Sequence, residues 1–251
     1  MELRRVFDAH AHLAAADGAV TRLLSTMDAC GIDRAIVVAG GVVSPERMSR
    51  LLALGGGVRD DADNEAVRRG CERSGGRLVP FFFGNPHRPS AYREQGEHFA
   101  GLKLAPTVHG VPLDDPRTRE LVDVAAEFGH NVYAHCLPRP GSTVADLVRL
   151  ARRYPSLTFA LGHTGVGDMD LYGIDLVAPV PNVVVETSCG LTATVPWALR
   201  RLGRERVLFG SEYPMQSPRV ELVKLQAAGL SEEDWRSVAW ANVWRFVGEE
   251  A

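Results

Sequence analysis

The sequence predicts an α/β chain closed into a (β/α)8 TIM barrel, and three observations carry that prediction. At 251 residues the chain has a length at which α/β barrels form one domain. Short β-branched or aromatic runs alternate with amphipathic stretches from end to end, the pattern of βα units and a parallel sheet. Eight such runs can be counted, and no Ser/Gly/Pro linker, charge block or low-complexity tract separates them. A single domain over residues 1–251 is the expectation, with a doubly wound open sheet as runner-up because periodicity alone does not establish closure.

The strand candidates are Arg4–Ala9, Arg34–Ala39, Leu78–Phe83, Gly101–Ala105, Asn131–Cys136, Leu157–Leu161, Asn182–Thr187 and Arg206–Gly210. Helical patterns occupy Ala19–Cys30, Asp61–Ser74, Pro116–Phe128, Val144–Arg153, Thr194–Leu202 and Pro218–Ala228. The polar stretch Pro89–His98 after the third strand is short, and Val166–Val177 is weakly periodic. A last helix, Glu232–Val247, carries Trp235, Trp240 and Trp244 and suits a cap on the bottom or side of the barrel. Gly40–Val58 is Gly-rich around a short Pro45–Leu54 helix and suits a lid over the second strand's end.

Composition narrows the function classes. The 28 basic and 31 acidic residues leave a net charge of −3, too weak a field to attract nucleic acid or an anionic membrane. No apolar stretch approaches the ~18 residues of a membrane span, and the basic start has no apolar run behind it of the kind a signal peptide needs. Cys30, Cys71, Cys136 and Cys189 form no CxxC pair and read as reduced thiols. A cytoplasmic protein acting on a small molecule is expected.

Barrel active sites lie at the C-terminal ends of the strands, so chemistry is sought there. The first strand exits as Asp8-Ala9-His10-Ala11-His12, and histidines at i and i+2 of an extended segment share one face. Lys103 lies on the fourth strand, His135 ends the fifth, the sixth exits into Gly162-His163, and the eighth exits as Ser211-Glu212-Tyr213-Pro214. Imidazoles and a carboxylate from several strand ends make a divalent-metal site, zinc first, with manganese or iron as alternatives. Each residue alone has a plain reading: a chance HxH, a rim lysine, a core histidine. The coincidence at matching positions of the eightfold rhythm is what carries weight. His87, His98, His109 and His130 default to the surface, with His109 the exception to watch because it follows the Lys103 strand.

The motifs FDAHAH, GLKLAP, VPLDDPRTRELVDVAAEFGHNVYAHC, LGHTG, VLFGSEYP and the closing AWANVWRFVG resemble, in order and over nearly the whole chain, the amidohydrolase superfamily. Within it the chain is most similar to the amidohydrolase-related branch of TIM-barrel metal-dependent hydrolases. The resemblance implies that His10 and His12 are first-strand ligands, that His135 is the fifth-strand ligand, and that His163 is a second-metal ligand or a catalytic histidine. It places Lys103 where some members carry a carboxylated, metal-bridging lysine, and it implies one ion rather than two. The chain departs from the family in FGSEYP, where Asp is usual and Glu212 stands. A side chain one methylene longer keeps proton transfer more easily than it keeps ligand geometry, so Glu212 is expected as proton shuttle and also as ligand.

The expected reaction is metal-assisted hydrolysis of a small amide, ester or lactone. The ion would lower the pKa of bound water from ~15.7 toward ~7, Glu212 would carry its proton, and the ion or His163 would polarise the carbonyl. Arg139, His109 and Tyr213 are the substrate-binding candidates, with Arg139 suited to a substrate carboxylate; Arg88, Glu186 and Ser188 stand behind them. The runner-up is a metal-dependent, non-oxidative decarboxylase of a small unsaturated or aromatic acid. A binding protein that merely retains the site is the third reading, and the completeness of the set argues against it. Besides the small-molecule substrate, the partner expectation is a homodimer, a state common among such barrels.

Overall fold

A computed structural model describes residues 4–165 and 170–249. Among the described residues, nine parallel strand segments run in chain order: β1 (Phe7–Ala14), β2 (Arg34–Gly40), β3 (Leu78–Pro80), β4 (Phe82–Phe83), β5 (Gly101–Leu104), β6 (Asn131–Ala134), β7 (Phe159–Leu161), β8 (Val183–Glu186) and β9 (Val207–Leu208). They pair as β1-β2-β3 and as β4 through β9. The expected third strand is therefore one stave broken at Phe81, whose N–H still reaches Val37 O at 2.9 Å. Pro80 lacks an N–H to give, and its carbonyl instead accepts from Ala100.

Backbone bonds between the last strand's exit and β1 complete the circle. Ala9 N–H donates to Phe209 O, Glu212 N–H to His10 O and His12 N–H to Tyr213 O, and Ala11 bridges Tyr213 in parallel sense. The barrel expected from the alternating pattern is the one observed, and β1 runs on through Ala14, so both histidines of the HAH motif lie within a strand. A register shift between Asp8 and Ala11 bends β1 at this seam.

Helices follow the local chemistry. Pro45–Leu54, Pro116–Phe128 and Val144–Arg153 begin after Ser44, Asp115 and Thr143, whose side chains cap the first turn. Thr143 and Asp146 close a reciprocal capping box. The Asp61–Ser74 pattern shortens to Asn64–Glu72, with Asp63 as its cap. The weakly periodic stretch yields a helix over Leu171–Val177, while residues 166–169 lie outside the described residues. The expected C-terminal helix is interrupted: Glu232–Arg236 and Asn242–Phe246 flank a π-helical turn over Ser237–Ala241. Val238 O in that turn accepts from Phe209 N–H, so the wider turn lends a carbonyl to the barrel.

This segment lies beneath the strands' N-terminal ends. Trp244 meets Phe7 edge-on at 5.6 Å, Asn131 at the start of β6 donates to Phe246 O, and Arg34 and Arg5 lie over Trp244 and Trp240. The bottom is closed by apolar rings under guanidinium planes, which leaves the opposite, C-terminal end for chemistry. No helix among the described residues is long and apolar enough to cross a membrane.

Candidate active site

Three side chains from the barrel seam converge at the open end. One ligand atom from each of His10, His12 and Glu212 lies within 4.8 Å of the other two. His10 Nε2 is 2.9 Å from Glu212 Oε2, and His12 Nε2 is 3.4 Å from Oε1. The i, i+2 spacing on β1 supplies the two imidazoles, and the last strand's exit, bonded to the same stretch of β1, supplies the carboxylate. Glu212 reaches this position with φ 58°, a left-handed conformation unusual without glycine. His163, Thr164 and Cys189 share that conformation, all at strand exits of the same end. Strain gathered there is a mark of functional sites.

His163 stands across from the trio, its Nε2 3.8 Å from Glu212 Oε2, and the His135 ring lies 4.8 Å from the His163 ring and nearly perpendicular to it. His135 is thus in the chamber but outside the tight group of donors. Lys103, fully buried on β5, places its ammonium 3.1 Å from His10 Nε2 and 3.9 Å from the Tyr133 ring centre. It forms no ion pair among the described residues.

The electrostatics follow from enclosure. Burial pulls the basicity of His10 well below the usual range, and the neighbouring ammonium of Lys103 adds to the effect. His135 is displaced the same way, by desolvation and then by His163. Burial brings the Lys103 ammonium down to about 8. For Glu212, burial pushes the carboxyl up, but His10, His163 and His12 together outweigh it and hold it well below the carboxylate range. Glu212 is therefore an anion beside imidazole nitrogens, a set of donors that suits a divalent cation. The donor set tests the fit directly: buried Glu212 Oε2 has His10 Nε2 at 2.9 Å and His163 Nε2 at 3.8 Å, a carboxylate and imidazole nitrogens converging on one point as a divalent cation requires.

Behind the chamber lies a buried carboxylate. Glu186, at the end of β8, accepts from the Tyr133 hydroxyl at 2.6 Å, from the Ser188 hydroxyl at 2.8 Å, and from the Ser188 and His163 backbone N–H groups. Two glycines make room for it. A Cβ on Gly210 would overlap Glu186 Oε1, and one on Gly162 would come within 2.5 Å of the Tyr133 hydroxyl. Tyr133 is the side chain that sequence reasoning passed over. It lies two residues before His135, hence on the same face of β6, and that spacing was the available signal. Asp8 accepts from His10 N–H and Ser211 N–H and ties β1 to the last strand's exit.

The three substrate candidates are placed differently. Arg139 donates to Leu51 O at 2.7 Å and also to Leu52 O, so its guanidinium clamps the last turn of helix Pro45–Leu54 instead of facing the trio. His109 is buried with Nδ1 3.2 Å from Val58 O, under the same lid segment. Tyr213 is half-buried and contributes its backbone to the seam. A cavity of about 160 Å³ lies between the lid and these loops, lined by Gly56, Thr107, Leu137, Arg139 and Ser142.

The family model for amidohydrolases, described as "Amidohydrolase", matches residues 7–248, from the first strand to the end of the C-terminal helix. The chain belongs to the amidohydrolase family. It is an enzyme of that family, with the donors of its candidate centre at the usual end of the barrel. A putative hydro-lyase of Corynebacterium urealyticum is 28% identical over 171 residues, a stretch covering 61% of this chain and 63% of that protein's length. Among solved structures, the 5-carboxyvanillate decarboxylase of Novosphingobium aromaticivorans, complexed with manganese and 4-hydroxy-3-methoxy-5-nitrobenzoic acid, superposes with TM-score 0.71 at 17% identity, covering 97% of this chain and 96% of that one. A probable 2-pyrone-4,6-dicarboxylic acid hydrolase of Acinetobacter baumannii, with citric acid bound, superposes with TM-score 0.69 at 12% identity, covering 97% and 99%. At these identities the two structures establish the shared fold.

Proposed function

We propose that this amidohydrolase-family enzyme is a metal-dependent, non-oxidative decarboxylase of a small unsaturated or aromatic acid, with one barrel domain carrying the whole site. The observation that carries the reading is the Lys103 ammonium: buried, beside the cation donors, and without an ion-pair partner among the described residues. A buried ammonium that Glu212 and Glu186 reach only through space, with no direct ion pair, is costly, and a substrate carboxylate would pair with it directly. Arg139, which the sequence offered for that task, is engaged with the lid. The neighbours' names support the reading, since a carboxyvanillate decarboxylase and a pyrone-dicarboxylic acid hydrolase both take small cyclic acids.

His10, His12 and Glu212 would hold the ion, with His135, in the same chamber, as a further donor. Manganese joins zinc as a candidate by analogy with the manganese-bound neighbour. When bound, the cation fixes a substrate oxygen and stabilises the negative charge that builds as the carboxyl carbon departs. Lys103 orients the carboxylate, and the Tyr133 ring and the strand ends exclude water. The Glu212–His163 pair, whose facing atoms are 3.8 Å apart, would first take up a proton from the substrate's own acid or hydroxyl group and then pass it to the ring or alkene carbon that loses CO2. His109 and Tyr213 belong to the wall that meets the rest of the substrate.

Hydrolysis of a small amide, ester or lactone is the second reading. It is favoured by Glu212, a carboxylate held anionic beside the cation donors, where a water's proton would be taken. One experiment separates the two: the purified enzyme, supplied with Mn2+ or Zn2+, is assayed for CO2 release from hydroxylated benzoates and unsaturated acids, in parallel with amides, esters and lactones. Saturable CO2 release that is lost in Lys103→Met supports the decarboxylase. Turnover confined to the neutral substrates, unaffected in affinity by Lys103→Met, overturns it.

A further inference from the structure

The hydrogen bonds behind His163 have a direction, and the direction decides which of its nitrogens carries the proton. Ser188 has a single hydroxyl proton. Its Oγ is 2.8 Å from Glu186 Oε2 and 2.8 Å from His163 Nδ1, and all three residues are buried. Glu186 Oε2 also takes the Tyr133 hydroxyl proton and the His163 backbone N–H, so on this side it serves only as an acceptor. Were the Ser188 proton turned toward His163, the Ser188 and Glu186 oxygens would face each other, lone pair against lone pair, in a place water does not reach. The proton therefore points at Glu186, and Ser188 is left to accept from Nδ1.

We propose that Ser188 and Glu186 are positioning residues that hold His163 as the Nδ1–H tautomer, so that Nε2 offers a bare lone pair to the chamber. His163 then serves as a proton acceptor or cation ligand, and in its resting state it does not donate a hydrogen bond to a substrate oxygen. Its surroundings agree: Nε2 faces Glu212 Oε2 at 3.8 Å, an approach of two acceptors that calls for a proton or a cation between them. The left-handed backbone at His163, φ 60°, turns its N–H onto the same Glu186 oxygen, so ring and backbone are fixed by one carboxylate. Gly210 is what allows that carboxylate to be there. The inference rests on the proposed function only for what the lone pair does; the tautomer itself is independent of any substrate.

The test is long-range 1H–15N correlation of the full chain labelled with 15N-histidine, with divalent ions removed by a chelator so that no metal occupies Nε2, and His163 assigned by its absence in His163→Gln. The expected wild-type spectrum has the His163 ring proton on Nδ1. Ser188→Ala should shift the population toward Nε2–H, the form free imidazole side chains prefer, while Ser188→Thr, which restores the hydroxyl, should restore Nδ1–H. A wild-type ring protonated on Nε2 overturns the proposal without recourse to any Ser188 variant. So does an unchanged Nδ1–H signal in a folded Ser188→Ala. Neither result bears on CO2 release, so failure here and failure of the decarboxylase reading are told apart.

Discussion

The ring of Tyr133 lies flat under the imidazole of His10, centroids 4.1 Å apart and 27° from parallel, while its hydroxyl donates to Glu186. One side chain thus supports a cation donor with its face and the buried carboxylate with its edge. Tyr133→Phe keeps the stack and removes one donor from Glu186. A hydrogen bond to a charged group contributes about 1.5–3 kcal/mol, so denaturant unfolding should show a loss in that range with bound metal retained. Tyr133→Ala adds a cavity and should cost about 3–5 kcal/mol.

Removal of the seam imidazoles addresses the centre itself. His10→Ala with His12→Ala should reduce bound metal from about one equivalent to near zero by elemental analysis, since structural and catalytic ions need three or more protein donors. The wild-type chain should also lose thermal stability on chelation, by about 2.7 kcal/mol if the ion had been present at a hundred times its dissociation constant. A chelator-insensitive melting curve would speak against a cation at this position.

Glu212→Gln separates ligand from proton carrier. The amide keeps size and one oxygen but neither the charge nor the proton affinity. Turnover should fall by about 10²–10⁴, the range for loss of a general acid–base group. Metal content measured on the same sample then shows how much of that loss is chemical.

Arg139→Ala should free the lid. The guanidinium bonds the exposed carbonyls that end helix Pro45–Leu54, where the helix dipole favours a cation. Hydrogen exchange over residues 45–58 should quicken while the barrel strands keep their protection. Equal loss of protection in β5 and β6 would mean that Arg139 supports the barrel and not the lid.

The pH dependence of stability has a separable contribution from His109. Burial lowers its pKa below the ordinary 6.5, so the native state resists protonation while the unfolded chain accepts it. Below pH 6.5 the unfolded state binds more protons, and stability falls as pH is lowered through the window between 6.5 and the depressed native value. His10, His130, His135 and His163 act with the same sign. His109→Gln should therefore flatten the slope in denaturation midpoints between pH 5 and 6.5 in part, and an unchanged slope would show that His109 protonates freely in the native state.

Much of this arrangement could be read from residues alone. Helix Pro116–Phe128 was legible at both ends because Asp115, Pro116 and Gly129 are local signals that tertiary packing reinforces. The HAH pair, Lys103, His163 and Glu212 were legible because a barrel collects strand exits in one place. What escaped depends on contacts between distant segments. The π turn at Ser237–Ala241 answers to Phe209, and the engagement of Arg139 with a helix 87 residues earlier is invisible to local chemistry. The family's hydrolytic name, likewise, does not reveal that Lys103 is buried without a direct ion pair among the described residues.

The seam at which β1 meets the last strand's exit is also where the first and last strands of the barrel are joined. His10 and His12 precede Glu212 by about two hundred positions, and a cation held by all three would act as a clasp on a bracelet. Closing so long a loop in the unfolded ensemble is entropically costly, by roughly 4.7 kcal/mol for a covalent tie spanning a hundred residues. Folding must bring the final strand home before the donors exist as a set. A chain released from synthesis short of that strand would carry every histidine of the centre and still have nowhere to put an ion.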